Sequence, residues 1–130
     1  METKPRLILH VEDDPDDRIL TKDAFRFIDK AITFHSVNDG EAALLYLLHL
    51  SREEYPFLIL LDYNVPKLNG LETLKLLQRS PLYKNIPTVM LTTSRDPLYR
   101  QKCMEAGASK FYVKPVIYKE LVAIARELLE

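Results

Sequence analysis

The sequence predicts an open α/β fold: five short strands in one parallel sheet, with five helices packed on its two faces. Two observations carry this expectation. Short apolar runs alternate with longer stretches of helical spacing along the whole chain, and such βα alternation implies parallel strands joined by right-handed crossovers. Three of the runs, Leu7-Ile8-Leu9, Phe57-Leu58-Ile59-Leu60-Leu61 and Val89-Met90-Leu91, are almost continuously apolar. Strands covered on both faces read this way. Their shortness, and the turn residues around them, favour strands over buried helices.

Taken in order, the strands are expected at Leu7 to Val11, Thr33 to Val37, Phe57 to Asp62, Thr88 to Thr92 and Lys110 to Val113. The first helix follows Asp14-Pro15-Asp16-Asp17, with Asp14 as N-cap, Pro15 at the first helical position and acids in the first turn. Ile19, Leu20, Ala24, Phe25 and Ile28 then recur at helical spacing. The second starts near Asp39-Gly40-Glu41 and runs through Ala42, Ala43, Leu44, Leu47 and Leu48. The third follows Asn69-Gly70, carries Leu71, Leu74 and Leu77, and ends before Pro81. The fourth has Asp96 as cap and Pro97 behind it, and stops at Gly107, where a left-handed terminator is expected. The fifth covers Tyr118 to Leu129, with Leu121, Ile124, Ala125 and Leu128 on one face. Ile117 stands where its polar cap belongs, so this helix is expected to start without a side-chain cap. Val116, Ile117 and Tyr118 together form either a frayed start or an apolar docking surface.

Composition bounds the function. A chain of 130 residues is one domain, expected over residues 1–130. It is large enough to bury a core without staples. Eighteen basic residues against nineteen acidic ones leave a net charge of -1. That balance gives no general electrostatic reason to bind nucleic acid or an anionic membrane. The single cysteine, Cys103, excludes an internal disulfide, fits a reducing compartment and reads as a packing residue. No secretory signal and no run of membrane-spanning length is visible, so a cytoplasmic location is expected. The last helix reaches Glu130, and no effector domain is expected after it. None of the three glycines, Gly40, Gly70 and Gly107, stands in a dinucleotide-binding or P-loop motif.

In an open parallel sheet, ligands bind beyond the carboxyl ends of the strands, where the winding direction reverses. Four of the five strands deliver a chemical group there: Glu12-Asp13 after the first, Asp62 after the third, Thr92-Thr93 at the end of the fourth and Lys114 after the fifth. Each has an ordinary alternative. The acids could cap a helix, Asp62 could solvate a loop, Thr92 could satisfy a turn and Lys114 could be a surface lysine. Their joint occurrence argues for a site. Carboxylates brought together repel one another, and a hard divalent cation such as Mg²⁺ removes that cost. His10, His35 and His49 are poorly placed for a softer metal and read as structural or exposed. Magnesium, a carboxylate and a lysine suggest phosphoryl chemistry, with Asp62 as nucleophile forming an acyl phosphate, Lys114 neutralising charge and Thr92 donating to a phosphoryl oxygen.

These residues, in this order, resemble the receiver domain of two-component response regulators, over essentially the whole chain. The acidic pair is Val11-Glu12-Asp13, the acceptor loop Asp62-Tyr63-Asn64-Val65-Pro66-Lys67-Leu68-Asn69-Gly70, the hydroxyl Thr92, and the lysine stands in Phe111-Tyr112-Val113-Lys114-Pro115. The resemblance implies a CheY-like, flavodoxin-like sheet of order 2-1-3-4-5. It also implies a histidine kinase or phosphotransfer protein as the donor to Asp62. Mg²⁺ is then expected on Asp13, Asp62 and the main-chain carbonyl of Asn64, with Glu12 acting directly or through water. Lys114 is expected to pair with the phosphoryl group, and its bond to Pro115 to be cis. Phosphorylation is expected to draw Thr92 toward the new oxygens and turn Phe111 inward. That would couple the site to the surface of helix four, strand five and helix five, toward an unidentified target or a phosphorylation-dependent homodimer. Asn64 and Ser94, small and polar, are expected to admit water to the acyl phosphate. The longer segment from His49 to Pro56 resembles stand-alone regulators that accompany phytochrome-like kinases.

Three other readings use the same residues. A haloacid dehalogenase-type phosphatase would need an acid at position 64, where Asn64 stands. In a flavodoxin-like cofactor carrier, Glu12-Asp13-Asp14 would repel the flavin phosphate. A pseudo-receiver would bind partners without being phosphorylated.

Overall fold

The computed structural model describes residues 6–130. Residues 1–5, part of the stretch in which the sequence shows no secretory signal, lie outside the described residues. The chain folds in the order β1 (Leu7–Val11), α1 (Pro15–Ile28), β2 (Thr33–Val37), α2 (Gly40–Leu48), a 3-10 turn (Arg52–Glu54), β3 (Leu58–Leu61), α3 (Gly70–Arg79), β4 (Thr88–Thr92), α4 (Pro97–Glu105), β5 (Lys110–Val113) and α5 (Tyr118–Leu129). The strands form one sheet in the order β2-β1-β3-β4-β5, and every paired neighbour is parallel. The register aligns the ends of β1, β2 and β3, where Val11 pairs with Val37 on one side and Leu61 on the other, and the ends of β4 and β5, where Thr92 pairs with Val113; Leu61 pairs with Met90, so β4 and β5 run two residues further. The winding direction therefore reverses between β1 and β3, and the residues that follow these two strands emerge side by side.

The period of two along each strand feeds two cores. Leu9, Val11, Ile59, Leu61, Met90 and Phe111 join Ala43 and Leu47 of α2, Leu71, Leu74 and Leu77 of α3 and Cys103 of α4. Ile8, Leu58, Leu60 and Val89 pack with Phe25 of α1 and Ala125 of α5. Leu91 joins Ala24 and Leu121 on that second face. Both faces of β1, β3 and β4 are thus covered, which is why these strands read as unbroken apolar runs.

The caps follow local chemistry. The Asp14 carboxylate accepts from the N–H groups of Asp16 at 2.8 Å and Asp17 at 3.3 Å, with Pro15 in the first turn. Asp39 accepts from Ala42 N–H and Asp96 from Leu98 N–H. Asn69 and Glu72 form a reciprocal capping box at the start of α3. Gly107, at φ 108°, ends α4: its N–H donates to Met104 O and that of Ala108 to Cys103 O, the paired bonds of a Schellman motif. Ile117 caps α5 in an extended conformation with no side-chain hydrogen bond, as expected. Cys103 is free and buried.

Two expectations are corrected. The third strand is shorter than Phe57 to Asp62, although the N–H of Phe57 still donates to Leu7 O and that of Asp62 to Val11 O. The Lys114–Pro115 bond is trans, as is every peptide bond among the described residues. Trans is the lower-energy form even before proline, and Lys114 reaches the site without the other. After α2, Ser51 and Glu54 close a capping box around the 3-10 turn.

Candidate functional site

The carboxyl edge of the sheet gathers Glu12, Asp62 and Lys114 around one ammonium group. Glu12 leaves β1 in step with the sheet, its N–H donating to Val37 O, and its side chain is 1% exposed. Asp62 follows β3 with its N–H on Val11 O, and its side chain is 8% exposed. Lys114 continues β5, its N–H donating to Thr92 O at 2.7 Å. Its Nζ donates to Glu12 Oε1 and, at 3.0 Å, to Asp62 Oδ2. A third carboxylate, Asp17 of α1, accepts from the same nitrogen at 2.9 Å through Oδ2.

The electrostatics follow from burial. Removal from water pushes the Glu12 carboxyl up to about 7, against the pull of the Lys114 hydrogen bond and with the charge of Asp62 adding to the rise. Burial alone would lower the Lys114 ammonium, but its bonds to Glu12 and Asp17 and the charge of Asp62 outweigh it, and Lys114 is held protonated. One lysine therefore faces three carboxylates, and the site carries an excess of negative charge.

The remaining expected groups lie around this cluster. The N–H of Asn64 donates to Asp62 Oδ1 at 3.2 Å, folding the acceptor loop back over the aspartate. Asp13 is exposed beside Glu12. Thr92 is fully buried, and its Oγ1 accepts from Ser94 N–H at 3.4 Å. Phe111 is already inward, 7% exposed, with the Arg100 guanidinium of α4 5.9 Å from its ring centre. Tyr63, next to Asp62, stacks on Tyr99 of α4 with ring centres 4.3 Å apart. The backbone at Gly70 passes so close to Asp62 O that an added Cβ would stand 2.4 Å from it. The loop thus closes onto α3 only with glycine there.

Among the described residues, no three His, Cys, Asp or Glu side chains converge as a ready-made metal cage. The donor chemistry nonetheless fits a hard divalent cation. The groups are oxygens carrying uncompensated charge, and Mg²⁺ is held by one or two carboxylates with its remaining positions left to water and phosphate. His10 and His35 give no competing nitrogen site. His10 is buried with its ring edge-on to Phe34, and His35 stacks on Tyr46. His49 bonds its own helix at Leu45 O.

Sequence reasoning read Asp17 only as a first-turn acid of α1. Its place about one helical turn beyond Asp13 and Asp14 is the only signal the sequence carries for it; the contact with Lys114 comes from the packing of α1 against the sheet. Arg18 was also passed over. Its Nε donates to Glu12 O at 2.6 Å and its terminal nitrogen bonds Asn38 Oδ1, which ties α1 to the ends of β1 and β2.

Residues 8–126 match the family described as response regulator receiver domain. A probable methanogenesis regulatory protein, FilR2 of Methanothrix harundinacea, is 32% identical over 97% of this chain and 83% of its own length. The match to the cyclic di-GMP phosphodiesterase response regulator RpfG of Xanthomonas campestris is 41% identical but spans only 56% of this chain and 19% of that protein. Among solved structures, the phosphorylated cyanobacterial phytochrome response regulator RcpA superposes with a TM-score of 0.87 at 28% identity, covering 96% of this chain and 91% of the other. The Mn²⁺-bound form of response regulator Rcp1 gives 0.83 at 31% identity, covering 95% and 91%.

Proposed function

Because the chain belongs to the response regulator receiver family, we propose that it is a phosphorylation-controlled signalling module with Asp62 as phosphoacceptor. Receiver domains in general are signalling modules of two-component phosphorelays and bind a divalent metal. For this chain the supporting observation is the meeting of Lys114 Nζ with Asp62 Oδ2 and Glu12 Oε1 at the ends of three separate strands.

A carboxylate oxygen of Asp62 attacks the phosphorus of a phosphohistidine on a histidine kinase or phosphotransfer protein. The P–O bond forms as the P–N bond breaks, and the leaving imidazole keeps the electron pair. Asp13, Asp62, the Asn64 carbonyl and Glu12, directly or through water, would hold Mg²⁺, which when bound offsets the charge of the acids and of the transferring group. Lys114 is the protein's own cation for the new phosphoryl oxygens. The Thr92 hydroxyl, buried beside β5, is drawn to them. Phe111 is packed inward already, so its repacking against Arg100 and α4 carries the change to the α4–β5–α5 face. That face serves a protein target or a second copy of the chain. The chain turns over no external substrate of its own.

Intact-mass spectrometry after incubation with acetyl phosphate tests this reading. A single phosphoryl adduct is expected with Mg²⁺, absent with chelator and absent in Asp62→Asn. No adduct in the presence of Mg²⁺ overturns it, and an adduct that persists in Asp62→Asn reassigns the acceptor.

A further inference from the structure

The Lys114 ammonium has three hydrogens, and three carboxylates accept from it. Two of them, Glu12 and Asp62, come from strand ends and are almost fully buried, at 1% and 8% exposed. The third, Asp17, comes from the first turn of α1 and is 35% exposed. It borders a cleft of about 310 Å³ that Lys114 also lines, together with Leu20 and Thr21 of α1 and Leu121 of α5. Water in that cleft reaches the Asp17 carboxylate. Of the three acceptors, Asp17 is therefore the one that can lose the lysine at least desolvation cost.

We propose that Asp17 is a positioning residue for Lys114: it holds the ammonium on the α1 side of Asp62 while Asp62 is unmodified, and yields it when phosphoryl oxygens arrive. The proposal rests on the reading of Asp62 as phosphoacceptor. The physical reason is saturation. Every N–H of the ammonium is committed. Phosphorylation turns the Asp62 carboxylate into an acyl phosphate, so the lysine hydrogen it held passes to a phosphoryl oxygen; a further phosphoryl oxygen is met only by leaving Glu12, which would stay buried and unpaired, or Asp17, which is re-solvated. Asp17 thus competes with the phosphoryl group for one charge, and the acyl phosphate forms against that competition.

Removing the charge at Asp17 should favour the modified protein. At a donor concentration that half-modifies the wild type with Mg²⁺, Asp17→Asn is expected to raise the ratio of modified to unmodified chain roughly threefold to fivefold, the scale of a partly exposed ion pair. Asp17→Glu, which restores the charge, should return the ratio to near the wild-type value. The side-chain ¹⁵N signal of Lys114, assigned with Lys114→Met, gives a second readout in the unmodified protein. Its ammonium hydrogens should exchange slowly in wild type and in Asp17→Glu, and faster in Asp17→Asn. An unchanged or lowered ratio in Asp17→Asn, or a rise that Asp17→Glu reproduces, overturns the proposal. If the wild type accepts no phosphoryl group at all, the reading of Asp62 fails instead. The nitrogen signal then decides for Asp17 alone: faster exchange in Asp17→Asn supports its hold on the lysine, and unchanged exchange removes it.

Discussion

His10 sits on β1 two residues before the buried acid Glu12. It is 2% exposed, and its Nδ1 has no hydrogen-bond partner among the described residues. Burial, with the charges of Lys114 and Arg18, lowers it to about 3. Its ordinary value is near 6.5, so between these values the unfolded chain takes up a proton that the folded chain refuses. Stability is lost through His10 as pH falls across that window. Glu12 acts with the opposite sign, because its raised carboxyl takes up a proton in the folded state before the unfolded chain does. A single-site comparison separates the two. Measured by urea denaturation in chelator, His10→Leu should gain about 2 kcal/mol on the wild type between pH 7 and pH 5. A difference that stays constant over that range would mean that the folded imidazole takes up its proton at the same pH as in the unfolded chain.

At the scale of the element, the helices differ in how their starts are satisfied. Asp14, Asp39, Asn69 and Asp96 each turn a side-chain oxygen onto the first N–H groups of α1, α2, α3 and α4. α5 has Ile117 there instead, in the right backbone conformation but with no acceptor, and flanked by Val116, 96% exposed. Ile117→Ser should therefore stabilise the fold by about 1 kcal/mol, visible as a higher midpoint in thermal unfolding. No gain would show that the Ile117 side chain, 54% exposed, contributes as much by packing as a cap would by hydrogen bonding.

At the scale of the molecule, the two faces of the sheet are held unequally. α1 and α5 pack against each other and over the centre of the sheet, and Ala24, Phe25 and Ala125 are fully buried there. α4 buries only Cys103 and is tied to the rest mainly by the Tyr63–Tyr99 stack and by Arg100 over Phe111. Both ties end at the proposed site, one beside Asp62 and the other on the strand that leads to Lys114. An element with few buried contacts opens most readily. Amide hydrogens of α4 should exchange faster than those of α1 and α5 in the unmodified protein, and acetyl phosphate with Mg²⁺ should alter exchange in α4 more than in α1. Equal protection of all three helices would remove α4 as the responsive element.

The sequence by itself determined the βα alternation, five helices with the caps Asp14 and Asp96, the apolar core of β1, β3 and β4, and Glu12, Asp62, Thr92 and Lys114 among the side chains at the sheet edge. Each is a local signal: periodicity, a cap residue, a run length, or a polar group directly after an apolar strand. Only the tertiary structure decided that Lys114 meets three carboxylates at once, because this depends on the register that brings the ends of β1, β3 and β5 to one edge of the sheet and on the turn at which α1 leaves β1. It alone decided that Asp17 faces the site rather than solvent, that Phe111 lies inward and that the bond before Pro115 is trans. An acid in a helix's first turn looks the same in sequence whichever way it points. Its direction is set by what the helix packs against, and that is a property of the assembled sheet.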